Sequence, residues 1–228
     1  MTVIDRHTPL VRITHWVTAA SFLFLLPSGM AILIAHPELY WGETGYFGEP
    51  AAFILPVATD VDQTAWGRGM HFAFAWVLVV NGLIYVVCGL CSGHFRRKLL
   101  PTGEQLRLRR VLHEVREHLR LRAPRGEALR EYNVLQKIAY LIVVFLLLPT
   151  MLLTGLTMSP AVTAAFPELF ILFGGRQSAR TIHFIGASLL VLFLLIHLVQ
   201  IFRAGAANEL RAMITGKLVI DPERSCRA

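Results

Sequence analysis

Four stretches of this 228-residue chain, 16–35, 72–91, 138–157 and 182–201, contain no Asp, Glu, Lys or Arg. About 20 apolar residues in a helix rise ~30 Å, the depth of a bilayer's hydrocarbon core. Backbone polar groups at that depth must be satisfied within the segment, which leaves a helix as the solution for such a run. Hydrophobic residues make up 55% of the chain, above the roughly 45–50% of soluble domains. The expected fold is therefore all-α, a membrane bundle of four helices in a single domain over residues 1–228. The spans are expected at about 12–35, 66–91, 136–158 and 180–203. The first is too long for a cleaved signal sequence and no A-x-A-like site follows it, so it is read as retained.

The net charge of +7 is distributed unevenly. Residues 36–67 contain no Lys or Arg but five acids, Glu38, Glu43, Glu49, Asp60 and Asp62. Twelve basic residues lie between positions 96 and 137, and five more in the tail after the last span. The positive-inside rule then sets both termini and the 92–135 loop in the cytoplasm. Topology and membrane lipid account for the basic charge, so no nucleic-acid partner is expected. Within the loop, residues 103–124 put Leu108, Val111, Leu112, Val115 and Leu119 on one stripe among arginines, the pattern of an amphipathic helix on the inner leaflet.

Histidines carry the chemistry. His183 and His197 share the last span, fourteen residues apart. That is ~21 Å of helix and within ~40° of the same direction. His15 lies a turn into the first span from the cytoplasmic side, and His71 near the outer end of the second. An intramembrane imidazole is costly without a partner. A lone one is ordinarily a helix–helix hydrogen-bonding group. Four in two level pairs, His71 with His183 outside and His15 with His197 inside, match two haems each held by two imidazoles. Zinc wants three or four ligands at one point, and this pattern offers two per level. No C-x-x-C-H is present, so the haems would be b-type and non-covalent. His7, His36, His94, His113 and His118 lie at ends or in loops and are not read as ligands.

Arg12, Arg68 and Arg180 each precede a candidate ligand by three residues, on its aqueous side, where a guanidinium meets haem propionates. Interfacial anchoring is the alternative for each. Gly29 and Gly82 follow histidine faces and would let a flat macrocycle approach the backbone, or simply let helices pack closely. Tyr40, Trp41, Tyr46 and Phe47 suit an interfacial belt. Pro149 is expected to kink the third span. A single interfacial helix is expected over 161–173, and Asn208 is expected to cap a short helix ending at Gly216. Cys88 and Cys91, inside a span, read as small core residues.

The stretches RITHW around His15, Ser28-Gly29, Arg68 to His71, Tyr132-Asn133-x-x-Gln136-Lys137, His183-x13-His197 and Leu210-Arg211-Ala212-Met213 with Gly216 extend over nearly the whole chain. In them the chain resembles the membrane cytochrome b subunits of formate dehydrogenases, nickel–iron hydrogenases and thiosulfate reductases, in the prokaryotic cytochrome b561-like superfamily. The resemblance implies a periplasmic partner, a molybdopterin or nickel–iron oxidoreductase or its iron–sulfur subunit. That partner would exchange electrons with an outer haem on His71 and His183. An inner haem on His15 and His197 would serve quinone near the cytoplasmic side, at Asn133 with Gln136 nearby. Asn133 also suits the N-cap of the third span. The 92–135 loop is longer and more basic than the resemblance implies. Two other readings remain: a free-standing cytochrome b561-like quinol oxidoreductase, and a transporter or membrane anchor without haem. The sequence holds no Cys cluster or dinucleotide motif, so any substrate chemistry belongs to a partner.

Overall fold

The structure is a computed structural model, and it describes residues 2–43, 50–56, 65–119 and 132–220. The belt residues Tyr46 and Phe47, the acids Glu49, Asp60 and Asp62, the loop beyond 119 and the tail from 221 lie outside them. So do the side chains of His118 and Leu119. Four helices are long and apolar enough to cross a membrane: α1 (Pro9–Ala35), α2 (Ala65–Cys91), the run Val134–Thr157, and α8 (Arg176–Thr215). Pro9 opens α1 at its first turn, where a missing N–H costs nothing. The third run is α4 (Val134–Ile142), a π-helical turn at Val143–Leu147, and α5 (Leu148–Thr157). The irregular turn directly precedes Pro149, whose ring cannot accept regular helical bonding behind it.

The chain groups into two compact units, Met1–Trp16 with Gly82–Val144 and Leu192–Ala228, and Val17–Asn81 with Phe145–Val191. The spans of the second unit bury small and hydroxyl residues and leave many large apolar ones outside: Ser21, Ser28, Thr154, Thr157 and Ala179 are almost wholly buried, whereas Leu23 is 74% exposed. That inversion is what lipid, as apolar as leucine, imposes on helix contacts. Thr14, Ser21 and Ser28 recur every seven residues on α1, and each hydroxyl bonds the carbonyl four residues back.

In the second unit, Asn81 donates to Thr18 Oγ1 at 2.9 Å, tying α2 to α1. The segment after α1 is strapped to the start of α8. Arg180 donates to the His36 carbonyl, Thr181 Oγ1 to that of Tyr40 at 2.6 Å, and the N–H groups of Gln177 and Ser178 to that of Gly42. Gly175, at φ 103°, lets the turn into α8 pass so close that a Cβ would sit 2.5 Å from the Gly42 carbonyl oxygen. The expected single helix over 161–173 is instead two, α6 (Pro160–Ala165) and α7 (Pro167–Leu172). Pro167 forces Phe166 out of helical geometry, to φ −132° and ψ 74°. A short ladder, β2 (Glu38–Leu39) with β3 (Phe53–Ile54), is also present.

In the first unit the two ends of the chain clasp each other. β1 (Thr2–Asp5) pairs antiparallel with β4 (Lys217–Ile220), and Ile4 packs on buried Ala212, Leu218 and Ile220. These two ladders depart from a purely α fold. Short polar-flanked strands joined across more than 200 residues carry no local signal. Arg12 donates to the Ile214 and Thr215 carbonyls at 2.5 and 3.2 Å, and Trp16 Nε1 to that of Met213 at 3.2 Å. The last carbonyls of α8 are thereby satisfied. Asn208 does not cap a new helix. The helix is interrupted earlier, at Gly205, and the Asn208 amide bonds both the N–H and the C=O of Val219. The basic amphipathic segment forms α3 (Leu108–Leu119), and on it Leu108, Leu112 and His113 are exposed.

Asn208→Ala strips both polar partners from Val219 and should cost roughly 1–3 kcal/mol. Limited proteolysis at 217–220 should accelerate while the spans stay intact. A second prediction concerns His7, whose Nδ1 lies 3.4 Å from the Tyr132 hydroxyl. Burial, reinforced by the charges of Arg6, His15, Arg12 and His94, pushes its pKa down to about 4. The ring is neutral in the fold but titrates near ~6.5 when unfolded. Protonation therefore favours the open state. Clasp stability should be full above pH ~6.5 and fall as the pH drops from there to about 4. Protease resistance of the clasp against pH should show this slope, and His7→Gln should flatten it.

Candidate cofactor site

Each unit brings two histidines close together. In the second, His71 of α2 and His183 of α8 have ring centres 6.3 Å apart, with planes at 63°. In the first, His15 of α1 and His197 of α8 are 6.4 Å apart, at 55°. A first-row metal–imidazole bond of ~2.0 Å, plus roughly 1.1 Å from ring nitrogen to ring centre, separates two centres across one metal by ~6.2 Å. The two pairs therefore have about the separation that two imidazoles sharing one ion would have. Among the described residues no three His, Cys, Asp or Glu side chains gather as a metal site. The donor set thus suits haem, whose porphyrin supplies the other ligands, better than zinc.

The surroundings of the pairs differ. His71 Nδ1 meets Ser28 Oγ at 3.2 Å, and His183 Nδ1 meets Thr154 Oγ1 at 2.9 Å. Gly29 lets the His71 ring close on α1: a Cβ there would lie 3.2 Å from His71 Cε1. Gly155 stands likewise 3.7 Å from His183 Cε1. In the other pair, His15 Nδ1 is buried with no hydrogen-bond partner. Trp16 sets its edge to His15 at 5.5 Å, and Phe193 stacks on His197 at 5.8 Å and 12°. From Phe193 the ring contacts continue to Tyr140 at 6.2 Å and Tyr132 at 5.5 Å.

The remaining expected site residues are placed as follows. Arg12 and Arg180 already hold backbone carbonyls, while the Arg12 Nε is buried without a partner. Arg68 is exposed. At Gly82 a Cβ would meet nothing within 4 Å, so the backbone there is open to a flat ligand. Asn133 and Gln136 form a reciprocal capping box on α4: Asn133 Oδ1 accepts from Gln136 N at 2.8 Å, and Gln136 Oε1 from Asn133 N at 3.2 Å. Sequence reasoning missed the Thr154 hydroxyl and Phe193. The available signals were the Thr154-Gly155 dipeptide, which repeats Ser28-Gly29, and the four-residue step from Phe193 to His197.

Residues 6–216 match the family described as prokaryotic cytochrome b561. The chain is 33% identical, over 92% of its length and 96% of the relative's, to a putative protein-methionine-sulfoxide reductase subunit YedZ1 of Azospira oryzae. It is 25% identical to a probable Ni/Fe-hydrogenase B-type cytochrome subunit of Bradyrhizobium diazoefficiens, covering 91% of the chain and 82% of the relative. Another such subunit, from Azotobacter vinelandii, is 28% identical over 82% and 75%. With four membrane-spanning helices carrying two facing imidazole pairs, the chain belongs to the prokaryotic cytochrome b561 family of haem-binding, electron-transferring membrane subunits.

Proposed function

We propose that the chain holds two b-type haems, one between His71 and His183 and one between His15 and His197. Through them it carries electrons across a bacterial inner membrane between a periplasmic oxidoreductase and quinone. The observation that carries this reading is the pair of ring-centre distances, 6.3 and 6.4 Å, each within one unit. Haem iron between two imidazoles supplies one-electron transfer without opening a site for substrate. The protein's part is to orient the imidazoles, seat the macrocycles and exclude water. Gly82 leaves its backbone open to a flat ring, and Gly29 lets the His71 ring approach α1. Arg68 is free to meet propionates at the outer end, and Arg180 keeps guanidinium donors beyond the one given to His36. The unpartnered Nε of Arg12 plays that part for the inner haem.

Along α8, His183 and His197 are fourteen residues apart on uninterrupted helix, ~21 Å of rise. That spacing sets the transmembrane step. The charge bias supports an orientation with both termini in the cytoplasm, so the His15 level faces inward. Quinone is assigned to that side. The capping box occupies Asn133 Oδ1 and leaves the Asn133 amide N–H groups as donors to a quinone oxygen. The aromatic contacts from Tyr132 through Tyr140 and Phe193 connect this end of α4 to His197. The relatives named for a sulfoxide reductase and for hydrogenases support an oxidoreductase partner, with substrate chemistry outside this chain.

Pyridine haemochrome analysis of the purified chain should return two haems per polypeptide, and one after either His71→Ala or His15→Ala. An unchanged stoichiometry in both variants would defeat the ligand assignment.

A further inference from the structure

On the reading that His71 and His183 hold one haem, we propose that Ser28 and Thr154 are positioning residues for it. Each hydroxyl accepts the Nδ1–H of its histidine, leaves Nε2 as the lone-pair nitrogen for iron, and lowers that haem's reduction potential. The direction of both bonds follows from counting protons. Ser28 Oγ lies 2.6 Å from the Phe24 carbonyl and 3.1 Å from that of Leu25. Thr154 Oγ1 lies 2.7 Å from the Thr150 carbonyl and 3.2 Å from that of Met151. A hydroxyl has one hydrogen, and a carbonyl can only accept. Each hydroxyl therefore spends its hydrogen on its own helix and presents a lone pair to the imidazole. Nδ1 must carry the ring hydrogen, and a neutral imidazole protonated there has its lone pair on Nε2.

Both hydroxyl-bearing residues are fully buried, so no water competes for the bonds. Both are followed by glycine, and each glycine faces the Cε1 edge of the same ring that its neighbour's hydroxyl holds. The same hydroxyl–glycine dipeptide thus appears on α1 against His71 and on α5 against His183. Back-bonding to the helix alone would not account for this, since Ser21 back-bonds to Val17 while no glycine follows it. The other pair has a different arrangement, for His15 Nδ1 is buried and unpartnered.

An acceptor on the distal ring nitrogen raises the basicity of a ligating imidazole. A more basic ligand favours ferric over ferrous iron, and second-shell hydrogen bonding is one of the protein's levers on haem potential. The effect should therefore be confined to the haem of His71 and His183.

The test uses the full chain purified with its haems. Redox potentiometry followed at the haem α-band should resolve two steps, and His71→Ala identifies which of them belongs to the outer site. Ser28→Ala and Thr154→Val should keep two haems per chain and move that step alone to higher potential, further in the double variant. Ser28→Thr and Thr154→Ser should restore it, and Ser21→Ala should leave both steps in place. Two haems with neither step moved in the double variant would overturn the proposal. So would an equal movement of both steps. If Ser28→Ala loses the haem, Ser28→Cys keeps the volume and weakens the acceptor, and an unmoved potential there overturns it equally. A wild-type chain with fewer than two haems, or His71→Ala with both retained, refutes the ligand assignment instead.

Discussion

An imidazole inside a membrane has two nitrogens and no water to satisfy either, and this requirement governs the rest of the molecule. A ring nitrogen left without a partner there is costly. In the second unit the helices respond with small hydroxyl side chains that stay neutral, fit within helix contact distance and supply a lone pair. Ser28 and Thr154 serve this way, and Gly29 lacks the Cβ that would crowd the His71 ring. The same small residues let helices approach where hydrophobic packing gains nothing over lipid. Packing and ligand orientation are therefore solved by one set of residues.

The last long helix contributes to both histidine pairs, and each of its ends is restrained. In the second unit, residues 36–42 lie across its first turn, held by Arg180, Thr181, Gln177 and Ser178. In the first, Arg12 and Trp16 take its final carbonyls, and Asn208 pins the strand that follows. A helix free to slide or turn would spread the ring-centre distances, and a change of ~1 Å matters to metal ligation. The contacts at its first turn make the His183 imidazole a positional feature of the fold, while those on Met213 to Thr215 hold the segment beyond the break at Gly205.

Relatives named for methionine sulfoxide reduction and for hydrogenases align with this chain across most of their length. Those names describe different substrate chemistries. An electron carrier need only match a potential and a distance, so a membrane cytochrome subunit need carry no mark of a catalyst's substrate.

That the chain forms four long apolar helices was legible in the sequence, because hydrocarbon thickness and helical rise turn a run of apolar residues into a span. The irregular turn before Pro149 falls where a kink was expected, for a local reason. Asn133 left two readings open by sequence, and the N-cap is present, as a local capping box with Gln136 three residues on. The helix break at Pro167, the clasp of Thr2–Asp5 on Lys217–Ile220 and the duty of Asn208 were not foreseen. The clasp joins segments more than 200 residues apart, and nothing in a short window records that. Local composition by itself determined that this chain carries four long apolar helices, with His183 and His197 on the last. Only the tertiary structure decided which hydroxyl meets which ring nitrogen, because a hydrogen bond depends on helix rotation and approach to within fractions of an ångström, which periodicity does not specify.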